Sequence, residues 1–566
     1  MVETHLQSHR VARASFAQVR ALSVAAWLIA ALVLAPLVAL GWIAAQGSDD
    51  LWPHLIANVL PHALGNTALL VLGVGIITTV IGTGTAWLVA TCRFPGRDVF
   101  EWALLLPLAI PTYIQAFVYL DAVHPLGPIP TALRGLLGIS DPRGLPLPDV
   151  RSLWGCIVLL GLVLYPYVYL AARATFTMQA AATLDAGRTL GAGAFETFRR
   201  IALPLARPAI AVGVSLALME AVNDIGASEF LGVQTLTLSI YSTWLNRSSL
   251  PGAAQIALFM LLLVLALLAV ERWGRRTLKV ANVGARARPL VGMELRRGRA
   301  AWAFLACLLP VTLGFLLPAG HLLFMAVKRW SYSSVSSAIV SETTNTIVFA
   351  FLGTVTSVAL GLVIAIAVRS RSVRSVLTLR IAALGYALPG AVLAVGLLVP
   401  LAAFDNAVSA AAQHLFGQAT GLLLSGSGAA LVLAYAIRFL AIPANGLEAG
   451  YGRIGETLDM AARSLGETAP GVVRRIHLPL LRPALGAAAL LVFVDCMKEL
   501  PATLMLRPLN FETLASHVYG EAARGTYEDG AIAALLIVFA GLAPVILLAR
   551  YSRAPAGQTA SSGRSR

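Results

Sequence analysis

Six ionisable residues lie within or at the edge of stretches that are otherwise apolar: Glu220, Asp224, Arg438, Asp495, Lys498 and Glu499. A charge at membrane depth costs about 2.5–3.5 kcal/mol on insertion scales, so such side chains face a bundle interior or a water-filled cavity. Glu220 and Asp495 are 275 residues apart, as are Asp224 and Glu499. Asp495 and Glu499 are four apart, which on a continuous helix places them on one face. Two chemistries fit. Four carboxylates around a pseudo-twofold axis would line a path for a cation, or the acids would pair with Lys498 and Arg438 and lock helices together. Arg438, deep in an apolar run, requires a counter-charge or carbonyl that the sequence does not identify.

Other chemistries are excluded. Only Lys279, Lys328 and Lys498 are lysines and none follows a glycine, so the Gly-Lys of a phosphate-binding loop cannot form. Cys92, Cys156, Cys307 and Cys496 stand singly, without the C-x-x-C spacing of a zinc or redox pair, and read as small packing residues. The nine histidines make no H-E-x-x-H pattern, and no Ser/His/Asp or Cys/His arrangement is present. No catalytic residue and no metal ligand is assigned.

The elements that hold the charges must be membrane helices. The 566 residues are 58% hydrophobic and 12% charged, with a mean hydropathy of +0.79, too little polar surface for a soluble globule. Apolar runs near the spanning length fall at 22–45, 64–91, 101–120, 153–172, 208–222, 253–271, 301–327, 345–368, 381–403, 428–447, 483–500 and 531–549. The first is too long for a signal-peptide core and reads as an uncleaved helix. With a cytoplasmic N-terminus the inside segments carry 32 Lys/Arg and the outside loops 8, which puts both termini in the cytoplasm. The net charge of +15 therefore reflects topology, and no nucleic acid is implied as a partner.

The chain repeats itself. Asn66-Thr67 matches Asn345-Thr346 at an offset of 279, each taken to open a helix, and Ala109-Ile110-Pro111 matches Ala387-Leu388-Pro389 at 278. Six spans per copy make the repeat parallel. After the fourth span of each copy comes a segment of about 30 residues that is neither a turn nor a span. One reads Asp185-Ala186-Gly187-Arg188-Thr189-Leu190-Gly191 and continues to Leu203-Pro204; the other reads Met460-Ala461-Ala462-Arg463-Ser464-Leu465-Gly466 and continues to Leu478-Pro479. Glycine and proline are 13 apart in both. The pattern predicts a helix ended by a positive-φ glycine, then a short amphipathic helix ending at Leu-Pro, where the next helix starts.

At these residues the chain resembles the EAA loops of the permease subunits of ATP-binding-cassette importers, in a fused two-copy form covering Asn66 to Arg272 and Asn345 to Leu548. The resemblance implies an all-α polytopic protein of about 12 transmembrane helices in two parallel six-helix repeats. It implies that the loops, through Asp185, Ala186, Gly191 and Pro204, and through Ala461, Ala462, Gly466 and Pro479, dock on a separate ATPase dimer. The second copy has Met460 where the family has an acid, with Asp459 adjacent. The implied layout is an N-terminal tail, first helix and outer loop (1–63), a first permease domain (64–272), a basic cytoplasmic linker (273–299), a seventh helix and outer loop (300–344), a second permease domain (345–550) and a disordered cytoplasmic tail (551–566). Glu220 and Asn223-Asp224-Ile225-Gly226 in one half, and Asp495 to Thr503 with Leu506-Arg507-Pro508 in the other, are similar to the ferric-iron branch, with thiamine permeases as close relatives. The implied protein is a bacterial inner-membrane importer subunit, fed by a periplasmic binding protein. It binds no cofactor, and ATP is used by the partner subunit.

Two segments point elsewhere. Leu424-Ser425-Gly426-Ser427-Gly428 imitates the signature loop of the ATPases but reads as an outer turn. Arg93 to Asp98 is faintly similar to a loop of ion-gradient-driven carriers, which also have twelve spans. The twofold-repeated loop argues against a carrier, since a carrier needs no ATPase dock.

Overall fold

The computed structural model describes residues 2–48, 51–139, 141, 148–178, 193–281, 293–332, 336–369 and 373–553. Asp185, Ala186 and Gly191 of the first loop and the tail from 554 lie outside them. Among the described residues the fold is helical apart from one parallel pair, Cys92–Arg93 with Met293–Glu294. Ten helices are long and apolar enough to cross a membrane, or twelve if each of two bent pairs counts as one span. This is the all-α polytopic architecture expected from hydropathy. Helix Leu250–Ala281 runs on into the expected linker, and helix Tyr527–Arg553 ends just inside the expected tail.

The two copies pack by the same close approach. A Cβ on Gly82 of helix Leu60–Thr91 would come within 2.7 Å of Val168 Cβ and 2.8 Å of Tyr165 O; one on Gly361 of helix Ser337–Val368 would come within 2.9 Å of Pro443 Cβ and 3.0 Å of Ala444 N. Without a hydrophobic drive between helices in lipid, such small residues let backbones meet and gain dispersion contact. The copies also interleave. Helix Val2–Ala45 packs on Gly390–Phe416 and Val373–Ala382 of the second copy, while Tyr527–Arg553 packs on Leu106–Ala109 of the first.

Several expected boundaries move, each for a backbone reason. Asn66-Thr67 and Asn345-Thr346 do not open helices but lie inside Leu60–Thr91 and Ser337–Val368. There they hold two shorter helices, Leu236–Leu245 and Leu514–Arg524. Asn66 Nδ2 donates to Gln234 O and Asn345 Nδ2 to Glu512 O, both at 3.1 Å. Thr67 Oγ1 accepts from Leu236 N at 3.0 Å and Thr346 Oγ1 from Leu514 N at 2.8 Å. These N–H groups belong to first helical turns and would otherwise have no partner.

The expected span 101–120 is broken into Arg97–Ala109 and Thr112–Leu137, bent by 90°. Ile110 is extended (φ −101°, ψ 115°) because the residue before a proline is driven out of the helical region. Leu388 before Pro389 is extended likewise (φ −73°, ψ 123°), so the second copy's span is Gly390–Phe416, later than the expected 381–403. Conversely, no helix ends at Leu203-Pro204 or Leu478-Pro479. Phe195–Asn223 and Ala469–Lys498 run on, each through a five-residue π turn, Phe198–Ala202 and Val473–His477. A one-residue register shift of this kind absorbs the hydrogen bond that the following proline cannot donate.

Candidate functional site

Glu220, Asp224, Arg438, Asp495, Lys498 and Glu499 line one cavity of about 120 Å³. Helix breaks deliver two of them. Helix Leu203–Asn223 stops at Asp224, which is extended (φ −72°, ψ 125°), and helix Leu478–Lys498 stops at Glu499, also extended (φ −69°, ψ 120°). Ile110, Pro111 and Thr112, at the bend in the first copy, line the same cavity. Interrupted helices at membrane depth leave backbone polar groups unpaired, a state tolerated only where the protein or a cavity satisfies them.

Asp224 and Glu499 each satisfy the start of the helix that follows. Asp224 Oδ1 accepts from Ala227 N at 2.7 Å. Glu499 Oε1 accepts from Ala502 N at 3.2 Å and Oε2 from Thr503 N at 3.1 Å. The two carboxylates differ in their remaining partners. The Thr112 hydroxyl donates to Asp224 Oδ2. Glu499 Oε1 lies 3.8 Å from Arg438 Nε, and Arg438 Nη1 donates to Leu388 O at 3.4 Å. Arg438 thus has both kinds of partner that its burial demanded.

Asp495 and Glu499 do not share one helical face, as their spacing had suggested. The helix ends between them, Asp495 pairs with Lys498 at 2.8 Å, and Glu499 turns to its own helix start and to Arg438. Pairing therefore describes the second half. In the first half Glu220 accepts from the Tyr386 hydroxyl at 3.1 Å, and neither Glu220 nor Asp224 has an ion-pair partner among the described residues. The cavity holds four acids against two bases, with the surplus on the first copy.

Residues that sequence reasoning passed over complete the site. Asn223 Oδ1 accepts from Gly390 N at 3.2 Å, joining the helix break of one copy to that of the other. Tyr386 crosses the seam in the same way. Thr112 and Gly390 occupy equivalent positions immediately after the matched prolines, and that match was the signal that could have found them.

Of the second loop all residues are described. Helix Glu456–Ser464 ends in a left-handed Gly466 (φ +87°), with Gly466 N bonded to Arg463 O at 3.0 Å and Glu467 N to Ala462 O at 3.0 Å. This paired closure is what a glycine just past the C-cap residue, Leu465, provides. Ala462 is buried, while Ala461, Leu458, Met460 and Leu465 are exposed. Asp459 does not substitute for the acid missing at Met460. Its Oδ2 accepts from Arg369 Nη2 at 3.2 Å and its Oδ1 lies 2.8 Å from His477 Nε2. Burial pushes its carboxyl up, but the hydrogen bonds and charges of His477 and Arg369 outweigh that and hold it below the usual range. Pro204 and Pro479 sit at the membrane end of each segment, just after the π turns.

Residues 79–279 match the family described as "Binding-protein-dependent transport system inner membrane component". The chain is similar to the Fe(3+)-transport system permease protein FbpB 2 of Haemophilus influenzae, with 26% identity over 87% of this chain and 90% of that one. It is 25% identical to the probable ABC transporter permease protein y4fN of Sinorhizobium fredii, over 87% of each. A shorter likeness, 27% over 33% of this chain and 81% of the relative, is to the molybdenum transport system permease protein ModB of Escherichia coli.

Proposed function

We propose that this chain, a permease of the ATP-binding-cassette importer family, carries a metal cation, ferric iron, across the bacterial inner membrane with both termini in the cytoplasm. A periplasmic binding protein delivers the ion, and a separate ATPase dimer docks on the loops ending at Pro204 and Pro479. The permease itself turns over no ATP, in keeping with the absence of any Gly-Lys.

The observation that carries the cation reading is the charge surplus of the cavity. Glu220 and Asp224 face it with hydroxyl and backbone partners alone, whereas Arg438 and Lys498 are engaged by Glu499 and Asp495. In a low-dielectric enclosure an uncompensated carboxylate lowers the energy of a passing cation and raises that of an oxyanion. The likeness to a ferric permease over 87% of this chain supports the same ion. Closing of the ATPase dimer would move the two loops and rock the copies about the seam that Asn223, Gly390 and Tyr386 bridge.

The test is uptake of radioactive ferric iron by cells that express the chain with its ATPase and binding protein. Uptake should be saturable, indifferent to excess molybdate or thiamine, and at least tenfold lower in Glu220→Gln. Uptake of molybdate or thiamine in place of iron would overturn the reading.

A further inference from the structure

Among the described residues no three of His, Cys, Asp or Glu converge as a metal site. One cluster of a different composition lies between the central cavity and the side that the charge bias assigns to the exterior. Glu229 sits on the short helix Gly226–Phe230, one turn beyond the Gly226 that lines the cavity. The Tyr519 hydroxyl, from helix Leu514–Arg524, donates to Glu229 Oε2 and lies 3.4 Å from the hydroxyl of Tyr241, from helix Leu236–Leu245. The two tyrosines are 278 residues apart, the repeat offset, so equivalent positions of the two copies meet across the seam, with Tyr519 on the carboxylate. The Tyr519 ring packs against Phe230 at 5.6 Å and Tyr241 at 6.5 Å.

On its other side Tyr519 borders a polar vestibule of about 590 Å³. Each vestibule acid there has a basic partner: Glu342 with His517 (2.9 Å), Asp529 with Arg329 (2.6 Å), Glu512 with Arg507, and Glu521 with Arg524. Glu229, which touches Tyr519 but is not itself part of the vestibule lining, differs from these four. Among the described residues it has no cationic partner, and a phenol takes its place.

We propose that Glu229, Tyr241 and Tyr519 form an oxygen-donor station that takes up a hard trivalent cation on its way from the vestibule to the central cavity. The proposal rests on the cation reading above and adds to it a binding site and its donors. Carboxylate and phenolate oxygens are hard donors, suited to a small, highly charged ion and poorly suited to a soft one. Three protein oxygens leave the other positions of a six-coordinate ion to water or to the chelator it arrives with. Each phenol that coordinates loses its proton to water, and no electron moves. While no ion is present the same groups close the seam through the hydrogen bonds of the Tyr519 hydroxyl to Glu229 and Tyr241. Arg507, whose charge acts on Tyr241, is paired with Glu512.

The full chain with its ATPase, in lipid nanodiscs and without the binding protein, is titrated with ferric nitrilotriacetate. The reading is the visible phenolate-to-iron charge-transfer band together with released protons. The expected result is a saturable band that is lost in both Tyr241→Phe and Tyr519→Phe, weakened in Glu229→Gln, and kept in Tyr527→Phe, each variant still co-purifying with the ATPase. No band in the unmodified chain, or a band unchanged in both tyrosine variants, overturns the station. Ferric uptake in cells, measured in parallel, separates the two proposals. Uptake without a band removes the station and leaves the cation reading standing. Absence of ferric uptake alongside uptake of another solute removes the cation reading itself.

Discussion

At the end of its fifth helix each copy of the repeat turns out of helical geometry at an acid, and that acid caps the next short helix; only the company it keeps differs. Asp224 takes a hydroxyl from Thr112, while Glu499 takes the Arg438 guanidinium. By the repeat offsets, Thr112 corresponds to Gly390 and Val163 to Arg438. A Cβ on Gly390 would stand 2.5 Å from Glu499 Oε1 and 2.7 Å from Arg438 Nη1. The side chain missing at 390 is therefore the space the guanidinium uses. Two changes distant in sequence form one exchange, a neutral donor from the bend for a charged donor from the fourth span. The first copy leaves its acids without an ion pair, whereas the second pairs Asp495 with Lys498 on the same helix and Glu499 with Arg438 of another.

The largest effect that would break this comparison is removal of one acid from each copy. Glu499→Gln strands the buried Arg438 and should cost about 3–5 kcal/mol, seen as loss of folded, monodisperse protein. Adding Arg438→Met should restore the protein. Asp224→Asn loses only neutral donors, so protein level should stay near normal while ferric uptake falls at least tenfold. Equal loss of protein in the two single variants would mean that the copies do not divide the work.

The exchange can be sharpened at its smaller partner. Gly390→Ala pushes a methyl into the Glu499–Arg438 contact and should cost about 1–3 kcal/mol, as overpacking does. Thr112→Ala removes one donor from a buried carboxylate and should cost about 1–2 kcal/mol. Gly390→Ala in the Arg438→Met background should be much milder, because the crowded group is gone. A thermal unfolding series in detergent reads all three, and an unchanged Gly390→Ala penalty would separate Gly390 from Arg438.

A third effect belongs to the loops. Gly466 is surrounded by open space, so a substitution there meets only the backbone penalty of φ +87°. Gly466→Val should cost about 1–2 kcal/mol of local order and Gly466→Asn clearly less, since asparagine visits this region more readily. Co-purification with the ATPase should follow the same order at constant membrane level. Equal retention of the ATPase by the valine variant would show that this turn does not position the dock.

Most of the spans and the twofold pattern could be read from sequence because hydropathy reports directly on which segments lipid will accept. The breaks within spans could not. Ile110-Pro111 and Leu388-Pro389 are as apolar as their neighbours, and only their recurrence at one offset marks them. Glu499 was assigned to a helical face because nothing in Asp495-Cys496-Met497-Lys498-Glu499 stops a helix by type. The stop comes just before Pro501, which cannot continue a helix, together with the carboxylate taking the N–H groups of Ala502 and Thr503, a local competition with no periodic signature. Arg438 had no identifiable partner for a related reason: its site exists only because a glycine 48 residues earlier leaves room. The clamp of Asp459 with Arg369 and His477 likewise joins residues up to 108 apart in sequence.

The smallest difference between the copies is titratable. Helix Leu514–Arg524 is tied to Ser337–Val368 by His517 Nδ1 and Glu342 Oε2 at 2.9 Å, whereas the repeat offsets place Ser239 and Ala63 at these positions in the first copy. The contact with Glu342 raises the histidine above its ordinary 6.5, burial opposes it, and the charges of Glu342 and Glu521 add to the rise. A group whose folded pKa is raised contributes stability that is complete below its unfolded value and is lost as pH climbs through the folded one. The second-copy helix should therefore be better protected from hydrogen exchange below pH 6.5 and lose that advantage at higher pH, after correction for intrinsic exchange rates. Helix Leu236–Leu245 should show no such trend, and Glu342→Gln should remove it from the second copy. The same pH response in both helices would place its origin outside the His517–Glu342 pair and erase this last distinction between the halves.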